Sequence, residues 1–166
     1  MLEELTLRKI VEFAITTEET GAKFYNRLAS KFSQDEAVAS LFMQLARDEE
    51  VHQRQFAALL AEAPQTYADK IEYERAQYLR AMAISEFFSK AGPVAAADKV
   101  TSEADALKQA LELEKASLTY YLAVRDELGH SSALDAIIAA EKQHVVRIMK
   151  TIVTGARFRS IQDDWP

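Results

Sequence analysis

The sequence predicts an all-α fold: a four-helix bundle with a long helical crossover between helices two and three. Three observations predict it. Four stretches place apolar residues at the 3/4 spacing of an amphipathic helix. The 166 residues include only 4 Gly and 3 Pro, too few for the tight turns of an all-β domain. The four stretches also fall into two pairs, each with a short junction, and a long segment separates the pairs. The length suits one domain. Residues 1–155 read as the bundle and 156–166 as a short, polar, extended C-terminal tail carrying the one Trp.

The first helix is expected over 5–32. Leu7, Val11, Ala14, Glu18, Gly21, Tyr25, Leu28 and Phe32 lie on one face. Ser33 with Glu36 three residues on reads as a capping box, which opens a second helix. Its face runs Val38, Phe42, Leu45, Glu49, His52, Phe56, Leu59 and Ala63, ending near Pro64. So short a junction makes the two helices antiparallel neighbours. The connector 64–101 has a cap-like Thr66–Asp69, apolar mass from Tyr67, Ile71, Tyr78, Met82, Phe87 and Phe88, and a break at Gly92–Pro93. It reads as one or two short helices that let helices two and three run parallel.

Ser102 with Asp105 opens the third long helix, whose face is Ala104, Leu107, Leu111, Glu114, Leu118, Tyr121, Val124 and Leu128. Gly129 supplies its stop. Ser132 with Asp135 opens the fourth, with Leu134, Ile137, Glu141, His144, Ile148 and Ile152 inward and an end at Gly155.

Composition removes several functions. With no Cys there is no disulfide, Cys-ligated zinc or Cys-bound iron–sulfur site. A net charge of -6 and a pI near 5.2 disfavour nucleic acid. The charged start MLEELTLRK lacks the apolar core of a signal peptide. No run approaches the roughly 18 apolar residues of a membrane span. The expected setting is cytoplasmic, with no membrane partner.

Each apolar face carries a charge where a hydrophobe belongs: Glu18, Glu49, Glu114 and Glu141. Two faces add a histidine three residues later, His52 and His144. Burying one unpaired carboxylate costs several kcal/mol, and four together repel. No Lys stands on these faces, so a pair of divalent cations is the simplest compensation. The levels agree as well. Glu18 lies about 15 residues before the first junction and the Glu49–His52 pair about 17 after it, a height difference of about 3 Å. Glu114 and the Glu141–His144 pair lie about 15 and 13 residues from the second junction.

Residues i and i+3 share a helical face, so one Glu and one His reach the same cavity. A Glu from each of two helices plus Glu-x-x-His from each of the others is the di-iron or di-manganese carboxylate pattern. The donor set suits Fe or Mn, and also Zn. One Glu-x-x-His means little. Two, each matched in level by a Glu on the preceding helix, carry far more weight. Glu18 to Tyr25 and Glu114 to Tyr121 repeat the same seven-residue spacing.

The stretches Glu18–Tyr25, Asp48–His52, Glu114–Tyr121 and Glu141–His144 resemble the ferritin-like superfamily, and within it the rubrerythrin-like branch, over roughly 5–153. The resemblance implies a ferritin-like di-metal bundle with two Fe ions. Glu18 and Glu114 would be terminal ligands, Glu49 and Glu141 bridging ligands, and His52 and His144 one nitrogen ligand per metal. Tyr25 and Tyr121, the candidate catalytic residues, sit where the family keeps tyrosines near the cluster. The plainer reading of both is a packed ring with a hydrogen-bonded hydroxyl. Two features depart from rubrerythrins proper. Their rubredoxin domain holds iron through four cysteines, and this sequence has none. Their extra Glu, three residues after the helix-three ligand, is here Ser117. A storage ferritin's short fifth helix is not matched by the tail.

Asp48 reads as a solvated carboxylate, the alternative being a partner that orients a ligand histidine. His130 reads as a surface residue in the turn after Gly129. The function expected from the resemblance is a non-haem di-iron oxidoreductase. It would react with peroxide or O2, as a peroxidase or ferroxidase, and take electrons from a donor the sequence does not identify. The competing expectations are iron handling or structural Zn without turnover, and a di-manganese catalase. Tyr73, Tyr78, Phe87 and Phe88 on the connector supply an aromatic patch for a homodimer. Light scattering checks this: twice the chain mass of 18.6 kDa is expected, and a monomer removes the patch's role.

Overall fold

The computed structural model describes residues 6–62, Tyr78 and 93–163. Among these it forms five helices and no strand: α1 (Leu7–Lys31), α2 (Glu36–Ala61), α3 (Pro93–Lys99), α4 (Glu103–Leu128) and α5 (Ser132–Asp163). Most of the connector, including Thr66, Tyr67, Asp69, Ile71, Tyr73, Met82, Phe87 and Phe88, lies outside the described residues. Tyr78 is helical and exposed. Pro93 begins α3, where its fixed φ and missing N–H suit a first turn, so the break at Gly92–Pro93 is a helix start.

The junction between α1 and α2 differs from expectation. Phe32 N–H caps α1 on the Leu28 carbonyl at 2.9 Å, and Asp35 N–H folds back to the Phe32 carbonyl at 3.0 Å. The cap of α2 is then Asp35, whose carboxylate accepts from Val38 N–H at 3.0 Å. Ser33 is spent in the turn. An acid at this position also complements the positive end of the helix.

Ser102 caps α4 as expected, its hydroxyl accepting from Asp105 N–H at 3.1 Å. Gly129 ends α4 with φ 78, the left-handed conformation that favours glycine. The cap of α5 is Ser131, one residue earlier than expected, accepting from Leu134 N–H at 3.1 Å. Asp135 instead faces the exposed His130 at 3.2 Å. The last helix does not stop at Gly155. It continues to Asp163, so most of the segment expected as an extended tail is helical. One interior glycine costs only about 1 kcal/mol relative to alanine, too little to end a helix without a cap or a proline.

The apolar side chains form two cores, one toward each end of the bundle. One gathers Phe24, Tyr25 and Leu28 of α1 with Val38, Phe42 and Leu45 of α2, Ala106, Leu107 and Ala110 of α4, and Ile148 of α5. The other gathers Ile10, Val11 and Ala14 with Phe56, Tyr120, Tyr121, Val124, Leu134 and Ile137. The C-terminal half of α1 thus meets the N-terminal halves of α2 and α4. So α1 and α2 are antiparallel, α4 and α5 likewise, and α2 runs parallel to α4, as the long crossover requires. On α4 the buried face is turned from the predicted one. Ala104 is exposed, Leu111 and Leu118 are half-buried, and Ala106, Ala110 and Ser117 face inward. α3 is tied to α1 by Arg27–Asp98 at 2.5 Å and by Lys31 Nζ donating to the Asp98 carbonyl at 2.9 Å.

Asp35→Ala should cost about 1 kcal/mol of stability in urea unfolding, and Ser33→Ala under about 0.5 kcal/mol. The reverse order would restore the capping box.

Candidate metal centre

Between the two cores lies a polar layer. Glu18, Glu49, His52, Glu114, Glu141 and His144 are each 0–5% exposed. α1, α2, α4 and α5 present them at one level, because the helices are long enough to carry a full apolar core on either side. All six predicted residues come together. Their donor atoms form two groups, each within 4.8 Å: Glu18, Glu49, His52 and Glu141, and Glu49, Glu114, Glu141 and His144. Glu49 and Glu141 belong to both. The cluster is able to bind metal.

Both imidazoles turn Nδ1 toward the carboxylates. His52 Nδ1 lies 2.9 Å from Glu141, 3.4 Å from Glu18 and 3.5 Å from Glu49. His144 Nδ1 lies 3.1 Å from Glu114, 3.8 Å from Glu49 and 3.9 Å from Glu141. The rings stack with centroids 5.3 Å apart. Yet His52 Nδ1, Glu18 Oε2 and both oxygens of Glu141 are buried without a hydrogen bond. The Nδ1–Glu141 approach is close but misaligned for hydrogen bonding. Buried polar atoms left unsatisfied are costly, and a cation accepting their lone pairs removes that cost. The donor set therefore fits two metal ions.

Tyr25 and Tyr121 cross the bundle. The Tyr25 hydroxyl donates to Glu114, and the Tyr121 hydroxyl donates to Glu18. Each ring is fully buried. Phe42 stacks on Tyr25 at 6.1 Å and Phe56 packs on Tyr121 at 5.0 Å. Burial and the neighbouring carboxylates push both phenols well above their ordinary range, so they stay protonated donors. Glu49 comes within van der Waals reach of α1 over Gly21, where an added Cβ would sit 3.4 Å from its carboxyl carbon.

The four acids are not alike. Burial, then repulsion from the other carboxylates, raises Glu49 and Glu141 well above the carboxylate range. Burial also raises Glu114, but the hydrogen bond and charge of His144, with the Tyr25 hydroxyl, outweigh it and the net shift is downward. Burial and mutual repulsion thus favour the protonated forms of Glu49 and Glu141, while His144 favours the ionised form of Glu114.

Asp48 is not simply solvated. Its Oδ2 accepts from Arg147 at 2.6 Å and lies 3.3 Å from His144 Nε2. The sequence signal was its place one residue before Glu49, which the adjacent acidic run masked. Arg147, six residues after Glu141, was missed. Ser117, at the position of the rubrerythrin Glu, is buried. His130 is on the surface, as expected.

The rubrerythrin family model matches residues 9–152, nearly the whole bundle. Among solved structures, a Thermotoga maritima protein described as a ferritin-like diiron-carboxylate protein superposes with a TM-score of 0.70 at 21% identity. The match covers 92% of this chain and 97% of that one. At that identity the likeness establishes the fold. Comparison with curated proteins gives no match. No helix among the described residues is long and apolar enough to cross a membrane.

The raised carboxyls set a pH dependence. Above about pH 4.5 the metal-free native state holds protons on Glu49 and Glu141 that the unfolded chain has lost. Stability then falls as pH rises through the raised values. Glu114 acts the other way, its contribution lost as pH falls, but it is one group against two. The Tm of chelator-treated protein should therefore drop as pH rises above about 4.5 in calorimetry. Mn(II) or Zn(II) should raise Tm and flatten or invert that slope by taking the place of the protons. A metal-independent slope would mean that the ions bind elsewhere.

Proposed function

The chain belongs to the rubrerythrin family, and from that premise we propose that it is a non-haem di-iron oxidoreductase that reacts with peroxide or O2, as a peroxidase or ferroxidase. The observation that carries this reading is the pair of overlapping donor groups sharing Glu49 and Glu141. A shared carboxylate on each side is what holds two metal ions within one cavity. In this reading Glu18 with His52 completes one position, and Glu114 with His144 completes the other. A bound di-iron pair would supply the two electrons that reduce peroxide or O2.

The residues of the chain do the remaining work. The cores above and below the layer keep water out, so the carboxylates act in a low dielectric. Glu49 and Glu141, which belong to both donor groups, would hold a metal pair through their carboxylate oxygens. Tyr25 and Tyr121 fix the orientation of Glu114 and Glu18 by donating to one oxygen of each. As proposed catalytic residues, they stand one hydrogen bond away from the reacting centre, each keeping its proton on the hydroxyl that donates to a ligand acid. Ser117 adds no fifth carboxylate to the four of the layer.

Stopped-flow absorbance on Fe(II)-loaded protein tests the reading. A ferric band should grow on mixing with peroxide or O2. If iron is bound and no band grows, the protein handles iron without turnover. Zinc retained against excess iron would instead indicate a structural pair, and oxygen evolved from peroxide by the Mn form would indicate a catalase. Glu49→Ala and His144→Ala should each lower metal content measured by elemental analysis, and full retention in both would place the metal elsewhere.

A further inference from the structure

We propose that Asp48 makes the two metal positions unequal, by holding His144 from behind and so making the Glu114–His144 position the tighter and first to fill. The inference rests on the proposed metal-binding role of the six residues and adds an order of loading to it. The internal repeat puts the two Glu-x-x-His segments in equivalent places, so each histidine should have an equivalent environment. The side chains behind them are not equivalent. Asp48 stands one residue before Glu49, and its counterpart before Glu141 is Ala140. Arg147 stands three residues after His144, and its counterpart after His52 is Gln55.

The structure turns this difference into geometry. Asp48 on α2 reaches across to α5, where its Oδ2 lies 3.3 Å from His144 Nε2. That nitrogen is buried and has no hydrogen bond, so the carboxylate beside it is the acceptor its proton can turn to. Arg147 donates to the same oxygen at 2.6 Å and fixes the carboxylate in place. One carboxylate oxygen can accept both. Among the described residues His52 has no matching acidic support, each of its acidic contacts running through Nδ1. Alanine at 140 offers no acceptor.

The chemistry follows from the imidazole. A ring that ligates through Nδ1 must carry its proton on Nε2. A carboxylate accepting that proton fixes the tautomer, orients the ring and makes Nδ1 more basic, and loss of such a partner typically lowers metal affinity about 10–100-fold. Asp48 is thus a positioning residue acting through His144. It is also 40% exposed, so its removal should leave the fold intact.

Co(II) titration of the chelator-treated protein, followed by calorimetry and visible absorption, tests the inference. The wild type should bind two equivalents in two unequal steps. Asp48→Ala should weaken the first by about 10–100-fold and leave the second within about twofold. Asp48→Asn, which keeps an acceptor oxygen, should recover part of the loss. Ala140→Asp, which supplies the missing acid, should narrow the gap in the wild type. In the proton spectrum of the Co(II) form, one exchangeable imidazole resonance should be slow to exchange and disappear in Asp48→Ala. That resonance would not respond to a merely structural role. Equal steps in the wild type, no change in Asp48→Ala, or equal weakening of both steps would each overturn the inference while leaving the metal site standing. No Co(II) binding by the wild type would instead overturn the metal reading itself.

Discussion

The repulsion among four buried carboxylates governs the rest of the molecule. Glu18, Glu49, Glu114 and Glu141 are each at most 5% exposed and lie in one layer. In a low-dielectric interior such a group of acids cannot all be ionised without compensation. The structure supplies partial answers of its own: two phenolic donors, two imidazoles, and proton uptake by Glu49 and Glu141. None of these satisfies both oxygens of Glu141. The bundle is therefore built around a deficit of positive charge, and its two apolar cores enclose that deficit.

That constraint explains the length of the helices. A layer of charge in the middle of a bundle interrupts the apolar packing that holds the helices together. Each long helix must bury enough on either side to make up the loss. α1 does so with Ile10, Val11 and Ala14 on one side and Phe24, Tyr25 and Leu28 on the other, and α2 with Phe56 against Phe42 and Leu45. The tyrosines belong to both worlds: their rings pack in the cores and their hydroxyls reach the acids.

Most of this was legible in the sequence, for a physical reason. A charged residue in an apolar stripe is a sharp signal, because its burial is expensive and must be explained. Glu18, Glu49, Glu114, Glu141 and the two histidines all stood out in that way, and all six converge. The cheaper features were harder to read. Asp35 and Ser131 displaced the expected caps Ser33 and Ser132, since neighbouring capping residues differ by little in free energy. Gly155 looked like a stop, but its penalty is small beside the pull of a helix already formed. Ala106, Ala110 and Ser117 face inward on α4, where a pattern built on the larger hydrophobes had placed Leu111 and Leu118. Asp48 lay in an acidic run where its one-residue offset from Glu49 looked like surface charge. Its partners lie on α5, and no local pattern encodes a neighbour ninety-nine residues away.

The crossed tyrosines carry a consequence for the origin of the site. Tyr25 of the first hairpin serves Glu114 of the second, and Tyr121 of the second serves Glu18 of the first. Neither hairpin orients its own acid. Each brings one donor and needs one, so the arrangement is a reciprocal exchange about a local two-fold. Such an exchange asks for two complementary hairpins, not for a particular covalent link between them. Two copies of one hairpin would meet the same demand, and a single chain carrying both is then free to place different residues at matching positions, as it does with Asp48 and Ala140.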